Sequence, residues 1–87
     1  MYQLRILDAA ARELSALDRQ VASRVAKRVR WLTENLDSIK PQPLSGELSE
    51  LYKLRVGDHR VIYEILRAEQ TIVVHAVGHR REIYRPR

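Results

Sequence analysis

The alternation of apolar and polar residues divides the chain into a helical first half and a strand-forming second half. Residues 2–7 alternate between the two classes and predict a first strand. The run from Ala9 to Leu14 consists of good or tolerable helix formers, and Asp8 is placed to cap this first helix. The chain is therefore expected to begin with a strand that leads directly into a helix.

A second, longer helix is expected after Asp18, which suits the cap position before its first turn. Apolar residues then recur at every third or fourth position, namely Val21, Val25, Val29, Leu32 and Leu36. This spacing predicts an amphipathic helix of about five turns with one buried stripe. The pattern fades over Asn35–Ile39, and Pro41 and Pro43 in the connector of residues 40–50 prevent any continuation.

The second half of the chain contains three segments rich in β-branched residues and tyrosine, at residues 51–56, 59–66 and 71–77. Gly57-Asp58 suits a two-residue hairpin turn with glycine first, and residues 68–70 make a second reversal. The predicted order is β-α-α-β-β-β. We therefore expect an α+β fold, with two N-terminal helices packed on one face of a mostly antiparallel four-stranded sheet.

The two-residue turn also predicts which side chains share a face of the hairpin. Arg55 then lies directly opposite Arg60, and Lys53 shares their face. The other face holds the residues that the helices should bury, which are Tyr52, Leu54, Val56, Val61, Tyr63 and Ile65. Opposed arginines repel each other, which favours an anionic ligand on their face. The alternative is that a carboxylate of the fold neutralises them, the candidates being Glu50, Glu64 and Glu82.

The segment after the last strand reads Gly78-His79-Arg80-Arg81-Glu82-Ile83-Tyr84 and is rich in groups that bind phosphate or move protons. Arg80 and Arg81 can hold phosphate, and His79 carries the side chain that titrates nearest to neutrality. His79 fits an exposed strand end equally well. Tyr84 supplies a phenol, or alternatively closes the edge of the sheet as a core aromatic.

The composition gives no support for metal or disulfide chemistry. The chain has no cysteine, and its three histidines lack partners at the spacing of zinc ligands. Of these, His59 beside the turn and His75, placed on the same face as His79, are expected to be structural. We expect no metal and no cofactor. No apolar run resembles a signal peptide or a membrane span, so we expect a cytoplasmic protein without a membrane partner.

The charge of the chain favours a negatively charged partner. The 87 residues, expected to form one domain over 1–87, carry sixteen Lys and Arg, mostly Arg, against eleven Asp and Glu. The formal net charge is +5 and the pI is about 10.1. Because Arg contacts phosphate through a planar fork, nucleic acid or an acidic protein is the expected partner. A genome that encodes Arg in place of Lys is the alternative explanation.

Two stretches of the sequence resemble a known family. Residues 52–65, YKLRVGDHRVIYEI, resemble the central hairpin of RelE/ParE superfamily toxins. Residues 72–84, IVVHAVGHRREIY, resemble the last strand and C-terminal segment of these toxins. The first strand, the helix pair and the proline-bearing loop fall in the same order, so the resemblance spans essentially the whole chain. It implies a RelE-like fold of the microbial-ribonuclease type.

The resemblance also implies functional residues, because catalytic groups of the RelE branch lie on the hairpin and the C-terminal segment. Carried over by position, the implied catalytic residues are Lys53, Arg60, Arg80 and Tyr84. The implied RNA-binding residues are Arg55, His79 and Arg81. The chain departs from the family pattern at Leu51, where some members carry a second lysine, and in the short segment between Arg80 and Tyr84.

The activity that the RelE branch implies is metal-independent cleavage of messenger RNA in the ribosomal A site, which stops translation. The RNA 2′-hydroxyl attacks the adjacent phosphate and leaves a cyclic 2′,3′-phosphate and a 5′-hydroxyl end. Lys53 or Tyr84 is the candidate base, His79 is the candidate acid, and the arginines stabilise charge on the phosphate. The expected partners are the ribosome, the messenger and an acidic, partly disordered RelB-like antitoxin. The toxin is expected to be a monomer when free and part of a hetero-oligomer with the antitoxin.

Three other functions fit parts of the sequence. A ParE-like toxin that inhibits DNA gyrase shares the fold and need not keep the Lys, Arg and Tyr groups. A basic nucleic-acid-binding module without enzymatic activity explains the charge but gives no reason for the clustered catalytic groups. A degenerate toxin would only bind its antitoxin.

Overall fold

A computed structural model shows the chain at residues 1–44 and 50–83 as two helices and one five-stranded sheet. The elements in chain order are β1 (Gln3–Ile6), α1 (Asp8–Ser15), α2 (Arg19–Asn35), β2 (Gln42–Pro43), β3 (Tyr52–Val56), β4 (His59–Leu66) and β5 (Thr71–His79). The strand order is β1-β5-β4-β3-β2, with β1 parallel to β5 and all other neighbours antiparallel. The predicted α+β class is confirmed. Neither helix has the length and apolar character needed to cross a bilayer.

The described residues contain one strand more than the four predicted. β2 comprises only Gln42–Pro43 and pairs antiparallel with β3, so that Gln42 lies opposite Lys53. It falls in the segment 40–50 predicted to be a connector. Proline has no N–H to donate and suits the outer edge of a sheet, which is where β2 lies. A strand of two residues has no periodicity for a sequence analysis to detect.

The two helices begin in different ways. α2 is capped as predicted, because the Asp18 carboxylate accepts a 3.1 Å hydrogen bond from the Gln20 backbone N–H. The predicted cap of α1 is wrong, since Leu7 occupies the cap position and Asp8 is the first helical residue. The Leu7 N–H donates to the Val74 carbonyl at 3.1 Å, so sheet pairing continues until the helix starts. Asp8 still stabilises the first turn through the helix dipole.

The core lies between the helices and one face of the sheet. The predicted apolar stripe is confirmed: Val25, Val29 and Leu32 of α2 and Leu36 directly after it are at most 5% exposed, and Val21 packs at their margin. The sheet contributes the buried residues Leu54, Val61, Tyr63, Ile72, Val74 and Val77. The position of this core decides which side of each strand faces away from the helices.

The hairpin of β3 and β4 has the predicted register. Arg55 pairs with Arg60 and Lys53 pairs with Ile62. The turn between the strands begins at Gly57, whose φ of +59° lies in the left-handed region that favours glycine. A two-residue turn leaves no freedom for the strands to slip, so the predicted facing residues are confirmed.

A bulge interrupts the pairing of β4 with β5. Ile62 pairs with Ala76, whereas the next residue, Tyr63, pairs with Val74. His75 is therefore an extra residue on β5, and the alternation of faces along β5 is reversed across it.

The bulge separates two histidines that the sequence analysis placed on one face. His79 pairs with His59 at the end of β5, on the helix-facing side of the sheet. His75 contacts Glu64, which points away from the helices. The prediction of a shared face is therefore wrong, because simple alternation does not hold through an inserted residue.

Substitution of a core residue tests this packing. Leu32 is fully buried, so Leu32→Ala should lower the free energy of unfolding by about 2–5 kcal/mol through lost burial and an unfilled cavity. Urea unfolding followed by circular dichroism measures the loss. Lys27→Ala, on the exposed side of the same helix, is the matched control and should change stability by about 0.5 kcal/mol or less. Equal effects for the two variants would contradict the described core.

Candidate active site on the free face of the sheet

We call the sheet face turned away from the helices the free face. Its central side chains on β3, β4 and β5 include Lys53, Arg55, Arg60, Ile62, Glu64 and His75. Ile62 occupies the centre, because Lys53 lies opposite it on β3 and the small Ala76 lies opposite it on β5. Arg60 and Glu64 lie two residues before and after it on the same strand. The free face thus has an apolar floor surrounded by charged groups, with Ile62 itself only 6% exposed.

The two opposed arginines of the free face keep their charge uncompensated within the described part of the chain. No ion pair there joins Arg55 or Arg60 to a carboxylate, and Glu64 instead contacts His75. Arg55 is exposed, and Arg60 is half-buried. The neutralisation considered as an alternative in the sequence analysis is therefore not seen among these residues. Two cations opposed across a strand pair make the free face a favourable place for an anion.

Hydrogen bonds within the hairpin hold Arg60 in place. Its Nη1 donates to the Gly57 carbonyl at 3.0 Å and to the His59 carbonyl at 2.9 Å. A guanidinium has five N–H donors, so the remaining donors stay available for a ligand. Lys53 is half-buried on the neighbouring strand.

The C-terminal segment brings Arg80 to the same hairpin turn. The Arg80 backbone N–H donates to the Asp58 carbonyl at 2.8 Å, and its Nε lies 3.9 Å from the Asp58 carboxylate. The chain then turns, with the N–H groups of Glu82 and Ile83 donating to the His79 carbonyl. Two of the predicted catalytic residues, Arg60 and Arg80, are thus anchored to one turn.

The other predicted site residues are placed less closely together. Arg81 is exposed in the turn after β5. Tyr84, predicted to be catalytic, lies outside the described residues. His79 lies on the helix-facing side, where its ring meets that of His59 edge to face at 5.5 Å between centroids. Both histidines line a cleft together with Arg24 of α2, across the sheet from Lys53. No group of three or more metal-ligating side chains within residues 1–44 and 50–83 is arranged to hold a metal ion.

The contact between His75 and Glu64 was not predicted from the sequence. The His75 Nε2 lies 2.9 Å from the Glu64 Oε1, and both side chains are roughly one-third exposed. The bulge creates the contact, because it directs His75 toward the free face beside β4. The only signal in the sequence was the presence of both residue types, eleven positions apart, which is too weak to predict a contact.

Tyr63 of β4 carries a buried phenol on the helix-facing side of the hairpin. Tyr63 is 1% exposed, and its ring packs 5.8 Å from that of Tyr52. Burial, and secondarily the neighbouring Tyr52, raises the pKa of Tyr63 to about 12 from 10.0. Tyr63 therefore stays neutral at physiological pH and packs as part of the hydrophobic core.

On the other side of the molecule, an apolar cleft of about 400 Å³ opens between β1 and the helices. Its lining includes Leu4 and Ile6 of β1, which are 42% and 37% exposed, and Val29 of α2. The helices thus leave the outer strand of the sheet partly uncovered.

Comparisons with known proteins place the chain among the toxins of type II toxin–antitoxin systems. Residues 4–84 match the family model described as the ParE toxin of the type II toxin–antitoxin system parDE. This match covers nearly the whole sequence, so the chain belongs to that family, and the predicted membership of the RelE/ParE superfamily is confirmed. No curated protein sequence matches the chain significantly.

Solved structures of related toxins share the fold. The RelBE2 toxin–antitoxin complex from Mycobacterium tuberculosis contains a chain 26% identical, with a TM-score of 0.81 over 90% of this chain and 96% of that one. The isolated Escherichia coli RelE toxin is 22% identical, with a TM-score of 0.77 over 91% and 84% of the two chains. A YoeB/ParE toxin from Agrobacterium tumefaciens is 17% identical, with a TM-score of 0.73 over 88% and 96%. The latter two identities are low enough that they show the fold alone.

The raised pKa of Tyr63 predicts how stability depends on pH. The unfolded phenol ionises near pH 10, whereas the folded one stays neutral to about pH 12. Its contribution to stability is therefore complete below pH 10 and is lost as the pH rises through 12. The full loss is roughly 3 kcal/mol.

Phenolate absorbance during an alkaline titration measures this effect. Tyr63 should ionise near pH 12, and Tyr63→Phe should remove that late step alone. Removal of an early step by Tyr63→Phe would contradict the assignment.

Proposed function

We propose that this toxin is a ribosome-dependent endoribonuclease that cuts messenger RNA in the ribosomal A site and thereby inhibits translation. The observation that supports the proposal is the free face, where Lys53, Arg55 and Arg60 surround the apolar floor at Ile62. No carboxylate among the described residues forms an ion pair with either arginine. A phosphodiester seated over Ile62 would meet cations on two strands.

The residues divide the chemistry of 2′-hydroxyl attack among them. A base removes the proton of the 2′-hydroxyl, and Lys53 or Tyr84 is the proposed group. As the pentacovalent phosphorane forms, Arg60 and Arg55 stabilise its negative charge, and Arg80 holds the phosphate from the C-terminal segment. These side chains supply positioning and charge without a metal. The products are a cyclic 2′,3′-phosphate and a 5′-hydroxyl end.

Dependence on the ribosome fits the distribution of these groups. His59 and His79, the two imidazoles that touch each other, lie across the sheet from Lys53 and Arg60. The free face therefore lacks the pair of opposed histidines with which a self-sufficient ribonuclease can bind and cleave. The ribosome would present the messenger in a fixed geometry, and the basic residues of α2 would contact ribosomal RNA through phosphates.

The partner that silences the toxin is proposed to be a cognate antitoxin with an acidic, partly disordered segment. Structures similar to this chain include toxin–antitoxin complexes named RelBE2 and RelE–RelB. The net charge of +5 favours an acidic partner. The partly uncovered apolar residues Leu4 and Ile6 offer it surface to bury.

A ParE-like activity, inhibition of DNA gyrase, is the second candidate. The observation that favours it is the matched family model, which is that of ParE toxins. Such an activity would not require Arg60 and Arg80.

Substitution of Arg80 separates the two candidates. Arg80→Ala should lower ribosome-dependent cleavage by about two to three orders of magnitude, because one cation that stabilises the phosphate is lost. Primer extension on a defined messenger in a purified translation system measures the cuts. Arg12→Ala, an exposed arginine of α1, is the matched control and should cut like the wild type.

The outcomes distinguish the activities as follows. Cuts within the A-site codon that disappear in Arg80→Ala support the nuclease, and Arg60→Ala should then behave in the same way. Full activity of both Arg60→Ala and Arg80→Ala would refute the catalytic assignment. If folded wild-type protein makes no cut but inhibits gyrase in a supercoiling assay, the ParE-like activity is the correct one.

A further inference from the structure

The contact between His75 and Glu64 gives the free face a group that the proposed mechanism does not yet use. His75 lies at the bulge of β5 beside Ala76, and Ala76 lies opposite Ile62. Lys53 lies opposite Ile62 on the other side. Because neighbouring strands are about 4.8 Å apart, His75 and Lys53 lie roughly 10 Å apart on either side of Ile62. A phosphodiester group above Ile62 would be within reach of both side chains.

The geometry of the pair is that of an oriented imidazole. The His75 Nε2 contacts the Glu64 carboxylate at 2.9 Å, which fixes the ring and directs the proton on Nε2 toward Glu64. The Nδ1 of His75 is then the atom that can exchange a proton with a ligand. A histidine held by a carboxylate at one nitrogen is a recurrent arrangement for proton transfer at the other nitrogen. With side chains only about one-third exposed, the pair is also partly shielded from water.

His79, the acid expected from the sequence, is placed less favourably. Its Nδ1 accepts a 3.1 Å hydrogen bond from the Arg81 backbone N–H, so protonation of that nitrogen would break a contact of the C-terminal turn. Its ring also packs against His59 on the helix-facing side. Among the described residues, His75 is the one imidazole on the free face.

We propose that His75 is the general acid of the cleavage reaction and that Glu64 is the residue that positions it. The inference rests on the proposed nuclease function. The 2′-oxygen forms a bond to phosphorus and its proton passes to the base, Lys53 or Tyr84. The bond between phosphorus and the 5′-oxygen breaks, and that oxygen takes the proton from the His75 Nδ1. His75 then regains a proton from solvent while Glu64 keeps its ring in place.

The charges around the pair agree with this role. Arg60 at the start of β4 and Arg55 opposite it on β3 can neutralise the phosphate. Glu64 lies at the opposite end, two residues beyond Ile62, and it faces His75. The acid and the arginines therefore lie at different ends of the site around Ile62.

A substrate with an altered leaving group tests the assignment directly. One messenger carries a normal A-site codon, and a second carries a bridging sulfur in place of the 5′-oxygen at the scissile bond. A thiolate leaves without receiving a proton, so its departure needs no acid. In single-turnover cleavage on programmed ribosomes, His75→Asn should be slower than the wild type by about 10²-fold or more on the oxygen messenger. On the sulfur messenger it should cut close to the wild-type rate.

Variants at Glu64 test the positioning role with His75 left intact. Glu64→Ala frees the ring and should show the same selective loss on the oxygen messenger. Glu64→Gln keeps an oxygen that can accept the Nε2 proton and should recover much of the rate. Glu69→Gln, an exposed glutamate in the reversal between β4 and β5, is the matched control and should not alter either rate. Thermal unfolding of each variant shows whether the fold is retained, and the Glu64 pair decides the question if His75→Asn unfolds.

The possible failures are distinguishable. A folded wild type that cuts neither messenger overturns the proposed function and the inference together. A wild type that cuts, combined with normal cutting by His75→Asn and by Glu64→Ala, overturns the inference alone. An equal loss on the oxygen and sulfur messengers also overturns it, because a missing acid cannot slow the departure of a thiolate. If the sulfur messenger restores His79→Asn and not His75→Asn, the acid is His79.

Discussion

Two helices can cover only one face of a sheet, and most of this molecule follows from that limit. The covered face takes Leu32 and Tyr63 out of water and thereby fixes how each strand is turned. The uncovered face receives the alternate side chains of the same strands, including the opposed Arg55 and Arg60. Two like charges directly opposite each other repel, so this pair of cations lowers the stability of the hairpin. Because the pair lies on the face without helices, one face of these strands stabilises the fold and the other is available for binding.

Local rules of chain geometry decide which features could be read from the sequence. The two-residue turn at Gly57-Asp58 leaves one register possible, so the opposed arginines followed directly. The stripe of α2 was equally clear, because five apolar residues repeat with the helical period. The bulge at His75 carries no such signature, since one inserted residue depends on how β5 packs and not on its composition. The contact with Glu64 and the separation of His75 from His79 were unpredictable for that reason. The cap of α1 failed similarly, because pairing of Leu7 with Val74 overrides the preference of Asp8.

The comparisons show how little sequence this fold requires. Toxins only 17–26% identical to the chain retain TM-scores of 0.73–0.81. The same architecture is thus reached by sequences that share about a quarter of their residues or fewer. Family membership therefore fixes the architecture, whereas a reaction would depend on individual side chains, which family membership does not specify. The match to the ParE family model and the likeness to RelE structures both refer to this one fold.

The parallel pairing of β1 with β5 has a consequence for synthesis of the toxin. Gln3 pairs with Thr71, so the first strand made finds its place only after the last described strand has been translated. Until then the growing chain holds an unpaired strand and helices without a complete sheet to pack on. The sheet itself is completed at about the same moment. The toxin can therefore complete its fold only after nearly all of its described length has been translated, and neither face of the finished sheet exists for a partner to bind before then.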